Sequence, residues 1–189
     1  ERHMMQEMFM SAARPFYHSA DVLELNAIDA EKYVPFVVGH FEETNRHIDA
    51  SDVKRVYDLF NGHTFYIQKT FNESFADTHE GEVCTLDTIR TAINNIIASN
   101  DTIFREILSN IPEKQKELLY AIAKDGKAEQ ITSAEFIKRH RLTSASSVQS
   151  ATKKLLEKDI ITERNKVYSL NDKLFAMWIN KLYGNTTML

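Results

Sequence analysis

Apolar residues in the front part of the chain recur with the spacing of an α-helix. Between residues 51 and 60 they stand at positions i, i+3, i+4 and i+7, which places them on one helical face. Ser51 is a preferred N-cap residue, and Asn61-Gly62 favours the left-handed conformation that ends helices. The pattern therefore predicts a helix whose inner face holds Val53, Val56, Tyr57 and Phe60.

Three further segments of this front part repeat the same spacing. One begins at about Thr64 and ends near the polar loop DTHEGEV, one is capped by Thr85, and one surrounds Phe104. An apolar stripe of this kind predicts a helix in each case. The stripes consist of Ile67, Phe71 and Phe75; of Leu86, Ile89, Ile93, Ile96 and Ile97; and of Ile103, Phe104, Ile107 and Leu108.

The segment before residue 50 is less regular. VLELNAI at 22–28 alternates apolar and polar residues as a short strand does, and Asp29 stands where it would cap a following helix. Pro35 falls beyond the first turn of that helix, where it removes a hydrogen bond and is expected to cause a kink. The predicted apolar face of this helix holds Tyr33, Phe36, Val37 and Phe41.

Asn110-Ile111-Pro112 interrupts the pattern, and a different order of elements follows. A helix carrying Leu118, Leu119 and Ile122 is closed by Asp125-Gly126. Thr132 and Glu135 have the spacing of a capping box for a short helix with Phe136 and Ile137. Ser144 is predicted to cap the next helix, whose inner face holds Val148, Ala151, Leu155 and Leu156.

The last quarter of the chain predicts a hairpin and a closing helix. Two strands are expected at 160–163 and 166–170, joined at Arg164-Asn165, before the helix DKLFAMWINKL. Three helices and a hairpin in this order predict a winged helix-turn-helix domain over 111–189.

Composition agrees with a mainly helical protein and excludes some classes. The 189 residues are 43% hydrophobic, with only five Gly and three Pro to interrupt helices. The single Cys84 forms no intrachain disulfide, and no signal peptide or bilayer-spanning apolar run is visible. We therefore expect a cytoplasmic protein without a membrane partner. The Met-rich start ERHMMQEMFM is expected to be a helical face cut off from a longer chain.

The net charge of −4 conceals an asymmetry along the chain. Residues 111–189 carry 14 Lys and Arg against 9 Asp and Glu, whereas residues 1–110 carry 9 against 18. The charge changes sign where the helical pattern breaks, which supports a domain boundary near 110.

The chain lacks the usual signatures of an independent enzyme. It contains no GxxxxGK[ST] phosphate loop, so we predict that this chain alone neither binds nor hydrolyses ATP. Its seven His are scattered without the spacing of a zinc site, and no metal is predicted. Cys84 follows Glu82 in an acidic loop, which disfavours the thiolate that a catalytic Cys needs.

Several stretches, taken in order, carry a resemblance that no single motif carries. They are RHMM at 2–5, RPFY at 14–17, VLEL at 22–25, NGHTFYIQ at 61–68, PEKQKELLYAIAKDG at 112–126 and YSLNDKLFAMW at 168–178. Their order and spacing over nearly the full length resemble the C-terminal part of prokaryotic AAA+ ATPases of the STAND-like, archaeal type. The resemblance implies a mainly α fold: the end of the nucleotide-binding core at 1–28, a helical-bundle lid at 29–110, and a winged helix-turn-helix with a small β-hairpin wing at 111–189. An upstream P-loop domain would bind ATP and Mg²⁺.

The same resemblance assigns roles to two sites. The turn containing Gly62, His63 and Thr64 would face the nucleotide, where helix N-terminal amides suit an anion. Relatives usually have Pro at the position of Thr64. Arg14 would precede the last strand of the nucleotide domain and act as an arginine finger. From the residues alone, NGHTFYIQ is a helix stop, a turn and core aromatics, and Arg14 is a surface arginine.

The Ser144-capped helix is the predicted recognition helix. Its outer face and the wing offer hydroxyl, amide and basic groups suited to phosphates and base edges, namely Ser146, Gln149, Lys153, Lys154, Arg164 and Lys166. Glu157, Asp159 and Glu163 dilute the basic surface, so a solvated face that docks to the lid or to a protein client is the competing interpretation. A free-standing DNA-binding regulator and a protein-interaction adaptor stay open as alternatives to the ATPase fragment.

Overall fold

The computed structural model of the chain describes Phe9 and residues 27–183. Arg14, the Met-rich start other than Phe9, the predicted core remnant up to residue 26 and most of the predicted strand at 22–28 lie outside these residues. Within residues 27–183 the fold is mainly helical, with nine helices and five short strands. The helices are α1 (Ala30–Glu42), α2 (Ala50–Leu59), α3 (Thr64–Ala76), α4 (Leu86–Ser99), α5 (Asp101–Ser109), α6 (Glu113–Asp125), α7 (Ala134–Arg139), α8 (Ala145–Glu157) and α9 (Lys173–Leu182). The strands are β1 (His47–Ile48), β2 (Val83–Cys84), β3 (Ala128–Glu129), β4 (Ile161–Arg164) and β5 (Val167–Leu170).

The front helices form a bundle in which α1 packs on α2 and α3 packs on α4. The predicted stripes largely face inward, since Val53, Val56, Ile67, Phe71 and the four isoleucines of α4 are all buried. Strands β1 and β2 pair in parallel and tie the two helix pairs together at one edge. The turn after α2 ends it as predicted, with Asn61 and Gly62 both in the left-handed region.

Two details of the front helices differ from the sequence predictions. Asp49, not Ser51, caps α2, because the Asp49 carboxylate accepts a 2.7 Å hydrogen bond from the Ser51 amide. Phe36 is 65% exposed and not part of the inner face of α1. Helix α1 contains Pro35 in its interior, as predicted, and the expected kink there stays a prediction. Pro35 is itself exposed, so its ring lies on the outer side of the helix.

Helix α5 also departs from its predicted pattern. Phe104 is buried, but Ile103 and Ile107 are exposed and Leu108 is half-buried. The apolar stripe is therefore only partly covered by the described residues.

The back part of the chain is the predicted winged helix-turn-helix. Helix α6 packs on α8, the short α7 precedes α8, and the antiparallel sheet has the order β3-β5-β4. Strand β3 escaped prediction because two residues are too few to show alternation. It pairs with β5 through Ala128 and Tyr168 and gives the wing a third strand.

Two local predictions in this part are corrected. Ser133, not Thr132, caps α7, because the Ser133 hydroxyl accepts from the Phe136 amide at 3.2 Å. The wing turn lies at Asn165-Lys166, one residue later than predicted, where both residues have positive φ. A two-residue turn of this kind matches the twist of an antiparallel hairpin. Ser144 does cap α8, accepting from the Ser147 amide.

Helix α9 connects the two parts of the chain. It contacts α6 and β5 of the winged helix and also α4 and α5 of the front bundle. Trp178 of α9 donates its indole N–H to the Asp101 carboxylate at 2.8 Å. Ile111, at the predicted boundary, is buried in the apolar core. The domain boundary near 110 stays a prediction. If residues 29–110 and 111–189 are separate domains, these contacts form the interface between them. Between residues 27 and 183, none of the helices combines the length and apolar character needed to cross a membrane.

Candidate functional site

The outer face of α8 is the first candidate surface. Val148, Ala151 and Leu155 point into the core, which leaves the opposite face of the helix to solvent. The predicted residues on that face are all exposed: Ser146, Gln149, Lys153 and Lys154. The first turn of α8 contains no acidic residue, and its N-terminus is capped by a neutral hydroxyl. An uncharged helix N-terminus of this kind favours anions through its amides and its dipole.

The two lysines of α8 differ in their surroundings. Lys154 donates to the Glu157 carboxylate at 2.8 Å, and this hydrogen bond lowers the pKa of Glu157. Lys153 has no carboxylate within 4.0 Å among residues 27–183. An ammonium without a partner is available to neutralise a phosphate, whereas Lys154 would first have to leave Glu157.

The wing brings part of the predicted set together with α8. Gln149 and Lys153 of α8 and Lys166 of the wing turn line one groove of about 730 Å³. Ile131, Leu156 and Tyr168 form apolar parts of the same groove. Arg164 is exposed at the end of β4 and does not line this groove.

One basic residue beside α8 was missed by sequence reasoning. Lys114, in the first turn of α6, donates to the Thr143 hydroxyl at 2.9 Å and to Glu117 at 2.8 Å. Lys114 and Thr143 are 29 positions apart, and no local pattern connects them. The contact places a further ammonium next to the N-terminus of α8, just outside its Ser144 cap.

The turn at residues 61–64 is the second candidate surface and lies in the front bundle. Gly62 is buried: a Cβ there would come within 2.8 Å of the Ala27 Cβ and of the Tyr57 hydroxyl. His63 is exposed, Thr64 is half-buried, and the His63 ring stacks on Tyr66 at a centroid distance of 4.7 Å. The Tyr66 and Ile67 amides bond to the His63 carbonyl, so the amides of Thr64 and Phe65 are those left without an intrahelical acceptor.

The turn can therefore offer an anion two amides and the His63 ring, while Gly62 serves the backbone geometry. Gly62 has a φ of 71°, which a residue with a side chain adopts only with strain. The amides of Gly62 and His63 are used within the turn, bonding to the carbonyls of Tyr57 and Phe60. A nucleotide contact by Gly62 itself would have to involve its carbonyl or Cα. Contact by this turn with a nucleotide stays a prediction.

Comparison with known proteins supports the winged-helix fold of the C-terminal part of the chain. Residues 102–181 match a family described as a probable winged helix domain. The matched range begins in α5, so it includes the helix that packs against α9. No significant match was found among curated protein sequences.

The fold as a whole resembles that of a solved structure, a Walker-type ATPase of Pyrococcus abyssi. The similarity has a TM-score of 0.65 at 14% sequence identity and covers 95% of this chain and 49% of the ATPase chain. This chain thus spans about half the length of the protein it resembles. At this identity the likeness concerns the fold, and it extends over the front bundle and the winged helix together.

Proposed function

We propose that this chain is the lid and winged-helix part of an ATPase whose P-loop domain lies in sequence upstream of Glu1. The upstream domain supplies the phosphate-binding loop, ATP and Mg²⁺. The turn at 61–64 closes over the nucleotide from the lid side, and Arg14 reaches a neighbouring site as an arginine finger. The fold similarity to the Walker-type ATPase over 95% of this chain supports this assignment.

In the proposed function, the winged helix binds DNA through α8 and the wing. The observation that carries this assignment is the exposed, acid-free first half of α8, with Ser146 and Gln149 on its outer face. Hydroxyl groups and amides at a helix N-terminus suit phosphates, and a Gln side chain can pair with adenine in the major groove. Lys153 and Lys166 add charge without ion-pair partners among the described residues.

A protein client is the second candidate, and the groove between α8 and the wing favours it. Ile131, Leu156 and Tyr168 give that groove an apolar lining, which base edges and phosphates do not require. Glu157 and Glu163 also line it and oppose a polyanion. The two candidates differ in the role of charge, which makes salt dependence the deciding measurement.

The experiment is a titration of a labelled duplex with the 189-residue chain at two salt concentrations. Wild type is compared with the double variant Lys153→Glu, Lys154→Glu. Both side chains are exposed, so the variant is expected to fold like wild type. If α8 lies on DNA, reversal of these charges weakens binding and flattens the salt dependence by about one unit of slope per lost phosphate contact. Equal and weak binding by both proteins would reject α8 as a DNA reader and favour the protein client.

A further inference from the structure

One hydrogen bond connects the start of α3 to the start of α9. The Tyr66 hydroxyl donates to the Asp172 Oδ2 atom at 2.6 Å, across 106 positions of sequence. Burial and this bond to Asp172 raise the pKa of the Tyr66 hydroxyl, so it stays a donor at all physiological pH values. The bond joins the front bundle to the start of the last helix of the winged-helix domain.

The Asp172 carboxylate has a second task at the same time. Its Oδ1 atom accepts from the amides of Leu174 and Phe175 at 2.8 and 3.0 Å and so caps α9. The two oxygens of one carboxylate therefore fix both the first turn of α9 and its position relative to Tyr66. A displacement of Tyr66 acts on the N-terminus of α9 through a short, rigid group.

Tyr66 is in turn held by the turn that precedes α3. Its ring stacks on His63 at 4.7 Å and lies 5.5 Å from the Phe60 ring. His63 is the exposed residue of the turn at 61–64, and Phe60 is the last residue before it. A change in the position of this turn therefore reaches Tyr66 through two ring contacts.

Helix α9 is suited to carry such a change into the winged helix. It packs on α6 and β5, which belong to the winged helix. Further along the helix, Trp178 bonds to Asp101 of α5 and Lys181 donates to the Asn94 side-chain oxygen of α4 at 3.2 Å, so three side-chain hydrogen bonds among the described residues join the segment 172–182 to the front bundle. Loss of the contact at Asp172 frees the first turn of α9, while Trp178 and Lys181 still hold the remainder of the helix to the front bundle.

We propose that Tyr66 and Asp172 form a positioning pair, through which the turn at residues 61–64 sets the orientation of the winged helix relative to the lid. This inference rests on the proposed function, since it names the path by which a nucleotide at that turn would act on the winged helix. Neither residue is assigned contact with nucleotide or DNA. Their role is to hold one orientation of α9.

The test measures the distance between the two parts directly. Nitroxide labels are placed on cysteines introduced at exposed positions of α3 and α8, Asn72→Cys and Ser150→Cys, in the 189-residue chain. Cys84 is buried, and burial raises the pKa of its thiol, so it is not expected to react with the label. Pulsed electron spin resonance then gives the distribution of label-to-label distances.

Tyr66→Phe removes the hydroxyl and keeps the ring. We expect the single narrow distance of the unsubstituted labelled chain to be lost, replaced by a broader or shifted distribution. Tyr57→Phe is the matched control, because it removes a 2.7 Å hydroxyl bond to the Ile28 carbonyl within the front bundle. The control is expected to keep the narrow distance, although its hydroxyl also lies beside Gly62.

A second variant excludes the explanation that the distance changes only because α9 loses its N-cap. Asp172→Ser keeps a capping oxygen for α9, but its side chain is too short to reach Tyr66 as well. It should reproduce the Tyr66→Phe distribution, and the double variant should add nothing further. An unchanged distribution in Tyr66→Phe, or an equal change in Tyr57→Phe, overturns the proposal. DNA binding by the wild-type chain is measured in a separate experiment. A negative result there would reject the proposed function, whereas the distance distributions alone decide whether Tyr66 and Asp172 act as a positioning pair.

Discussion

Truncation of Phe104 tests whether the front bundle and the winged helix share one core. Phe104 of α5 is 3% exposed. The centroid of its ring lies 5.2 Å from that of Phe175 and 5.7 Å from that of Trp178, both in α9. Phe104→Ala removes this ring from the contact between the two parts. The adjacent Ile103 is 54% exposed and provides the matched control, Ile103→Ala.

The expected magnitude follows from burial. Truncating a fully buried Phe to Ala lowers the free energy of unfolding by about 3–5 kcal/mol, because transfer and cavity terms add. With a urea slope of about 2 kcal/mol/M, the unfolding midpoint falls by roughly 1.5–2.5 M. Exposed substitutions away from such contacts change stability by about 0.5 kcal/mol or less, so Ile103→Ala should unfold close to wild type.

The chain contains its own reporter for the assay. Trp178 is the single Trp, it is 3% exposed, and it lies directly against Phe104 and Phe175. Its emission reports the contact between α5 and α9, whereas circular dichroism at 222 nm reports all helices. With one shared core, both signals should give the same midpoint in wild type and should move together in Phe104→Ala.

A chain of two separately packed units with a boundary near 110 predicts a different result. The Trp178 transition would then keep its wild-type midpoint in Phe104→Ala, while only the front-bundle part of the circular dichroism signal would shift. Limited proteolysis gives an independent result, since separate units should be cut between residues 110 and 113. Coincident transitions together with resistance at that site would reject the predicted division.

Three further predictions concern single residues. Gln149→Ala should weaken DNA binding mainly at a preferred sequence, by about 1–3 kcal/mol of discrimination, and should leave the salt slope unchanged; titration against preferred and scrambled duplexes checks it. Gly62→Ala should destabilise the chain by about 1–3 kcal/mol, because its φ is 71° and a Cβ would meet Ala27 and Tyr57. Gly81→Ala is the control, because Gly81 has a φ of 83° but a Cβ there would meet no atom within 4 Å, so this variant measures the backbone strain alone. Equal urea midpoints for the two variants would contradict the argument that a Cβ at Gly62 clashes with Ala27 and Tyr57. In the proposed ATPase with its P-loop domain, Arg14→Ala should lower ATP turnover and nearly preserve ATP affinity, since an arginine finger acts in the transition state; unchanged turnover would reject the proposed role of Arg14.

Helix periodicity predicted most of the helices, because the residues that a helix buries recur in the sequence with the spacing of its turns. Val53 and Val56 of α2 and Ile89 and Ile93 of α4 are almost completely buried, as their stripes required. The exceptions are stripes that end at a surface of the described chain. Ile103 follows the α5 stripe but is exposed, since periodicity states which residues share a face and not what covers that face.

Caps and turns were predictable in type but not always to the residue. Ser133 caps α7 where Thr132 was expected, and adjacent hydroxyl residues offer no sequence signal to separate them. In the same way, Asp49 competes with Ser51 for α2, and the backbone conformation decides between them. Helix ends are therefore uncertain by one or two residues when several capping residues are adjacent.

The polar contacts that join distant segments were not predictable at all. Tyr66 and Asp172 are 106 positions apart, and Trp178 and Asp101 are 77 apart. Each residue has an adequate local explanation: Tyr66 and Trp178 as apolar residues of their helices, Asp172 as a cap. Only the three-dimensional arrangement shows that these side chains also form hydrogen bonds between the front bundle and the winged-helix part.

The distribution of charge along α8 indicates which part of the helix would contact a polyanion. Acidic residues are absent from the first turn, whereas Glu157 occupies the last turn and holds Lys154 at 2.8 Å. The positive end of the helix dipole strengthens attraction at the N-terminal end, where the nearby Lys114 is already bonded to Glu117. Phosphates are thus favoured towards the N-terminal end of α8 and disfavoured over its last turn, and Lys153 lies between these two regions. For DNA lying this way, Lys153 should contribute more to the salt slope than Lys154, because of these two lysines only Lys154 has a carboxylate partner within residues 27–183 to give up.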